Sequence, residues 1–158
     1  MELSPINVDI YTEFIKRHFA ENKKKIAVET IQEVYKRFEG ITWYIQFMAN
    51  SLYAMTAEGE ECTVDKVNFA IENILSQLNF TYSSLLFQLP PKQKEVLIAI
   101  CKEGKAQEIT SSKTYKLTAS SVQGAIRGLL DKDFVTNELG VYSVYDKFFD
   151  IWLRKRIS

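Results

Sequence analysis

The sequence is poor in the residues that do chemistry. It holds one histidine, two cysteines, three prolines and six glycines in 158 residues. The single histidine, His18, lies beside Lys16 and Arg17 with no serine or cysteine nucleophile near it in sequence, so it reads as a solvated helix residue rather than a catalytic base. Cys62 and Cys101 match no metal-binding or redox spacing, and Cys101 sits inside the apolar run VLIAIC, where a buried free thiol is expected. The glycines never cluster as GxGxxG, and no GxxxxGK[ST] stretch occurs, so there is no phosphate-cradling loop. Carboxylates are scattered without a pair suited to acid–base work. No metal site is expected, and catalysis by this chain alone is not. No apolar run approaches the length of a membrane span. The start Met1-Glu2-Leu3-Ser4-Pro5 has neither the basic nor the apolar stretch of a secretion signal. A cytoplasmic, reduced protein with no membrane partner is the expectation.

What is present builds a core. Hydrophobic residues make up 46% and charged residues 25%, ordinary values for a globular protein. The formal charge is zero, yet residues 1–84 carry 8 Lys/Arg against 12 Asp/Glu, and residues 85–158 carry 12 against 8. That asymmetry hints at two parts, the second mildly basic. The strongest punctuation is Pro90-Pro91, which divides the chain into an expected helical domain, residues 1–89, and a second domain, residues 90–158.

The first part reads as four helices. Ser4-Pro5 is a plausible helix start, followed by Ile10, Phe14, Ile15 and Phe19 at helical spacing. Lys23-Lys24-Lys25 is expected to be a solvated connection. The second helix carries Val28, Ile31, Val34, Tyr35 and Phe38 and should end at Gly40 in a left-handed cap. In YKRFEGITWYIQFMANSLY, residues 35–53, the chain restarts at once, with Thr42 as a candidate N-cap and Tyr44, Phe47, Met48, Leu52 and Met55 as the apolar stripe. Thr63 is a candidate cap for a long fourth helix with Val67, Ile71, Ile74, Leu75, Leu78, Tyr82, Leu85 and Leu86 inward.

The second part has another rhythm. A helix over 92–102 places Val96, Leu97, Ile100 and Cys101 inward. A short segment over 111–117 precedes a helix from Thr118-Ala119-Ser120-Ser121 to Asp131, with Val122, Ala125, Ile126, Leu129 and Leu130 inward. Phe134-Val135-Thr136 and Val141-Tyr142-Ser143-Val144-Tyr145 then flank a loop of Asn137-Glu138-Leu139-Gly140, a β-hairpin pattern. A last helix from Asp146 carries Phe149, Trp152 and Leu153. Helix, short helix, helix, hairpin is the order of a winged helix. The fold class expected is therefore mainly α: a four-helix, lid-like bundle followed by a winged-helix domain.

A winged helix offers a DNA-binding reading, because the second helix of such a motif enters the major groove. Here it would present Ser120, Ser121, Gln123, Gly124 and Arg127, of which Arg127 and Gln123 suit guanine and adenine edges. Against this, the hairpin loop has no Lys or Arg, and the helix ends at Asp131 and Asp133. Phosphate contacts dominate affinity, so so few cations predict weak binding. Arg154-Lys155-Arg156 closes a helix, where cations complement the dipole.

Four stretches together resemble a known family: LSPI....Y..FI...F at 3–19, FEGITWYIQ at 38–46, SSVQGAIRGLLDKDFV at 120–135 and VYSVYDKFFDIWLRKR at 141–156. They are similar to the region after the P-loop domain in the predicted prokaryotic ATPases of the AAA+/STAND superfamily common in archaea and Bacteroides-type bacteria. The resemblance implies a C-terminal fragment, helical lid plus winged helix, whose main partner is a P-loop domain absent from this chain. ATP and Mg would then belong to the full-length protein and no cofactor to this fragment. It also implies that Gly40-Ile41-Thr42-Trp43-Tyr44 begins the lid helix facing the nucleotide. Many relatives carry a sensor arginine in that region and histidine where Ile41 stands, and neither is present here. Gly40, Thr42, Trp43 and Tyr44 thus become candidate nucleotide-proximal or domain-interface residues. The function expected is non-catalytic coupling of nucleotide state to the binding of DNA or another protein. The alternative is a free-standing winged-helix transcriptional regulator. A protein-binding adaptor is compatible with either.

Overall fold

The computed structural model describes residues 7–103 and 119–157. The chain divides into two compact units, Met1–Ser76 and Gln77–Ser158. Among the described residues the first unit is built from α1 (Val8–Glu21), β1 (Lys25–Ile26), α2 (Val28–Arg37), α3 (Thr42–Met55), β2 (Glu61–Cys62) and the opening turns of α4 (Asp65–Gln88). The rest of α4, then α5 (Pro91–Glu103), α6 (Ala119–Asp131), β3 (Val135–Glu138), β4 (Val141–Val144) and α7 (Lys147–Ile157), form the second. The expected helix start at Ser4-Pro5 and the segment over 111–117 lie outside the described residues, as does Thr118.

In the first unit, α1 begins at Val8, where the Asn7 side chain accepts a hydrogen bond from the Asp9 amide (2.7 Å). Its buried face is Tyr11, Ile15 and Phe19, an i, i+4, i+8 row. Ile10 and Phe14, expected inward, are 62% and 64% exposed. Tyr11 displaces them because its ring reaches Tyr35 (6.1 Å between centroids) while its hydroxyl finds a polar partner. Ile15, Ile26, Ile31, Val34, Ile45 and Leu52 converge around one small apolar void, which locates the core. The stripe of α3 is likewise shifted: Ile45, Met48 and Leu52 are buried, whereas Phe47 and Met55 are exposed.

A feature invisible to periodicity is the parallel pairing of β1 with β2, Lys25 opposite Glu61 and Ile26 opposite Cys62. Two residues per strand are too few to show alternation. The buried Thr30 hydroxyl donates to the Cys62 carbonyl (2.9 Å), tying α2 to this ladder. Lys24, expected to be solvated, instead donates to the Tyr53 carbonyl (2.9 Å) and lies 3.8 Å from the centre of the Tyr53 ring. The exposed His18 also packs on Tyr53, 4.7 Å between ring centroids. Thr63 lies outside α4 and hydrogen-bonds the Asp65 carboxyl, which this bond holds below its ordinary pKa.

In the second unit the inward faces follow the sequence pattern closely. Val96, Leu97, Ile100 and Cys101 of α5 and Val122, Ala125, Ile126 and Leu129 of α6 are buried. Leu130 is half-buried, and Leu85 of α4 is exposed. The hairpin pairs antiparallel from Val135 opposite Val144 to Glu138 opposite Val141. Asn137 and Glu138, expected in the loop, therefore belong to the strand, leaving a two-residue turn at Leu139-Gly140. Both turn residues have positive φ (54° and 83°), as the strand twist of a tight hairpin requires. Leucine disfavours that conformation by about 1 kcal/mol, and the side chain of Leu139 is fully exposed.

Asp146 organises this unit. One carboxylate oxygen accepts from the amides of Phe148 (2.9 Å) and Phe149 (3.2 Å), capping α7. The other accepts from the Tyr82 hydroxyl of α4 (2.9 Å). The Tyr82 ring in turn meets Phe149 (5.0 Å) and Trp152 (5.7 Å), and the Trp152 indole N–H donates to Asn79 Oδ1 (2.9 Å). Asp146→Ala should lower unfolding free energy by about 2 kcal/mol, with Asp146→Asn losing less because an amide oxygen still caps; urea denaturation of the three proteins checks the order.

Both cysteines are free and buried. Burial, reinforced by the Asp150 carboxylate that accepts its S–H (3.3 Å), pushes the Cys101 thiol up to about 12. Burial likewise raises Cys62. The thiolate is the reactive form, so a disulfide-exchange reagent should label neither thiol in the native protein through pH 9. Both should react once the chain is unfolded.

Candidate functional site

Two groups of residues are candidates, one in each unit. The first is the turn between α2 and α3. The C-terminus of α2 closes with the Gly40 amide bonded to the Tyr35 carbonyl (3.0 Å) and Glu39 bonded to Lys36 (3.4 Å). That is a Schellman closure, with both Glu39 (φ 54°) and Gly40 (φ 70°) left-handed. Gly40 is buried and reverses the chain so that α3 starts two residues later. Thr42 is not the N-cap: that position is Ile41, which makes no side-chain capping bond. The Thr42 hydroxyl instead accepts a hydrogen bond from the Tyr11 hydroxyl (2.6 Å) and so joins α3 to α1.

The Trp-Tyr pair has split roles. Tyr44 stacks on the fully buried Phe38, 5.3 Å away at 13°. Trp43 stands edge-on to Tyr44 (4.9 Å), stacks on Phe47 (5.3 Å), and is 60% exposed. Gly40, Thr42, Trp43 and Tyr44 thus share one turn, with Tyr44 facing the core and Trp43 facing out. Tyr11 was missed by the sequence reading, since no periodicity marks a tyrosine whose hydroxyl reaches a residue 31 positions away. The turn has no arginine or lysine to meet a phosphate. Among the described residues no group of three His, Cys, Asp or Glu is placed to hold a metal ion.

The second candidate is the exposed face of α6. Ser120, Gln123, Gly124 and Arg127 are all exposed and fall at i, i+3, i+4 and i+7, one continuous strip. Ser121 lies at its edge, half-buried, with the Lys92 ammonium of α5 at 3.5 Å from its hydroxyl. At Gly124 an added Cβ meets nothing within 4 Å, while at Gly128 it would come 2.4 Å from the Gln93 amide. Gly128 therefore lies under the end of the Gln93 side chain, and Gly124 has no such neighbour. Lys132, near the helix end, is engaged with Gln93 Oε1 (2.9 Å). The hairpin strands and turn, residues 135–144, carry Glu138 and no cation. The strip carries the hydrogen-bonding side chains of Gln123 and Arg127, with Arg127 its one cation.

Residues 80–155 match a family described as a probable winged helix domain. Over 95% of its length this chain is similar in fold to part of the Walker-type ATPase of Pyrococcus abyssi, with a TM-score of 0.66 at 17% identity. The chain spans only 42% of that protein's length. No curated protein matches the sequence. The fold class is accordingly mainly α, with a winged-helix domain in its second part. Among the described residues no helix is long and apolar enough to cross a membrane.

Glycine in a helix interior costs about 1 kcal/mol relative to alanine, and Gly124 has open space around it. Gly124→Ala should therefore stabilise the protein by up to about 1 kcal/mol, read as a higher thermal midpoint with an unchanged helical spectrum.

Proposed function

We propose that this chain is the non-catalytic lid and winged-helix region of a P-loop ATPase of the archaeal and Bacteroides-type AAA+/STAND group, coupling nucleotide state to the binding of a partner. The observation that carries the reading is the fold likeness: nearly the whole chain corresponds to less than half of a Walker-type ATPase. The sequence has no phosphate loop of its own, so ATP and Mg would be held by a domain outside it. The first unit adds support. Ile10 and Phe14 on α1 and Trp43 and Phe47 on α3 are exposed apolar side chains, and the Tyr11–Thr42 hydrogen bond ties those two helices together. Exposed apolar side chains on two joined helices suit a surface that a partner covers. A P-loop domain is the partner this reading assigns to them, with Trp43 and the Gly40–Thr42–Tyr44 turn at the boundary. Lids of this kind act by rigid-body rotation when nucleotide binds or leaves.

The partner of the winged helix would be DNA or another protein. The polar strip Ser120, Ser121, Gln123, Gly124 and Arg127 favours DNA, and also supports the second reading, a free-standing transcriptional regulator. The cation-poor hairpin favours a protein.

The test starts from the mass of the native protein in its source cells, by immunoblot against this chain. A band well above 18.3 kDa is expected, and Trp43→Ser in that longer protein should lower ATP turnover at least about tenfold, as loss of a buried aromatic anchor does at other interfaces. A band at 18.3 kDa overturns the ATPase reading. Binding of duplex DNA that falls steeply with salt and weakens in Arg127→Ala would then establish the regulator.

A further inference from the structure

The last turns of α4 carry a surface that neither the core nor the winged-helix strip accounts for. Phe80 and Phe87 are 82% and 84% exposed, a large cost in ordered water for two aromatic rings. Seven residues apart, they stand on the same side of the helix two turns, or about 10 Å, from one another. Ser83 and Ser84 lie between them, so two aromatic ridges flank a floor of small side chains, and these residues line one open groove. Lys94 of α5 and Arg156 of α7 line the same groove, which contains no carboxylate. Arg156 is positioned by the Trp152 ring, over which its guanidinium lies at 4.7 Å.

We infer that this groove is a docking site for an acidic amphipathic helix of a partner protein. The spacing of the two phenylalanines suits apolar side chains at i and i+3 or i+4 of an incoming helix, seated over Ser83 and Ser84 between the rings. Lys94 and Arg156 meet Asp or Glu on its flank, and the absence of any acid from the lining makes the selection one-sided. A single-stranded nucleic acid would also stack on the rings, but it needs a run of phosphate contacts, and two cations do not make a track.

The test uses the 158-residue chain and a synthetic amphipathic peptide of about 18 residues, leucine on one face and glutamate on the other, with a lysine-for-glutamate version as its counterpart. Saturable shifts in the NMR signals of Phe80, Phe87, Lys94 and Arg156 are expected with the glutamate peptide alone. Affinity should drop at least about tenfold in Phe80→Ser/Phe87→Ser, whose exposed positions leave folding intact, and should drop with added salt. Lys94→Glu/Arg156→Glu should transfer the preference to the lysine peptide. Equal binding of both peptides, unchanged binding to the serine variant, or no binding overturns the proposal. So does competition at these signals by oligothymidylate, which would mark a nucleic-acid site. A dimer that the serine variant converts to monomer would make a second copy the occupant, and overturns it too.

Discussion

The second unit hangs on one carboxylate. Asp146 sits where the hairpin ends and α7 begins, a point at which the helix exposes unpaired amides. One oxygen fills that need through Phe148 and Phe149, and the other holds the Tyr82 hydroxyl of α4. The same residue thus sets the start of α7 and the orientation of α4 against it. With Tyr82 placed, Phe149 and Trp152 stack at 5.6 Å, and Trp152 secures its indole N–H on Asn79. Burial of these aromatics supplies the energy, while Asp146 selects which arrangement receives it. The consequence reaches the surface: with Tyr82 turned inward and Asn79 held by Trp152, Phe80 and Phe87 on the same helix are exposed.

The first unit obeys a backbone constraint. Two consecutive left-handed residues, Glu39 and Gly40, end α2 and redirect the chain within one turn. Tyr44 is then delivered to the ring of Phe38 and Trp43 to the outside. An aromatic pair adjacent in sequence cannot put both rings on one side of a helix, since neighbours are 100° apart in a 3.6-residue turn. The inward position went to the residue whose ring stacks on Phe38. That leaves a large apolar residue in water at the place where the proposed ATPase domain would meet this unit.

Misreadings of the apolar faces have a common cause. Ile10 and Phe14 looked like core because periodicity weighs hydrophobicity and ignores hydrogen bonding. Tyr11 won the inward position because burial satisfied both its ring and its hydroxyl. In α3, Phe47 and Met55 were placed on the inward stripe and Ile45 was not, but the core accepted the row Ile45, Met48 and Leu52. Thr42 and Thr63 carried the chemistry of N-caps and spent it otherwise, on Tyr11 and Asp65. The parallel strands and the role of Lys24 were out of reach, since each depends on a segment about 30 or more positions away.

By itself the sequence determined the mainly α class, the helix–hairpin–helix order of the second part, the inward faces of α5 and α6, the left-handed turn at Gly40 and the lack of a phosphate loop. Each of these is a local property, set by the 3.6-residue period, by backbone sterics or by the presence of a short motif. Only the tertiary structure decided which of several apolar faces became core, that Gly124 stands in open space, and that Phe80 and Phe87 share a groove with Lys94 and Arg156. Those outcomes depend on which distant side chains arrive at the same place, and packing settles that by competition among faces of similar hydrophobicity.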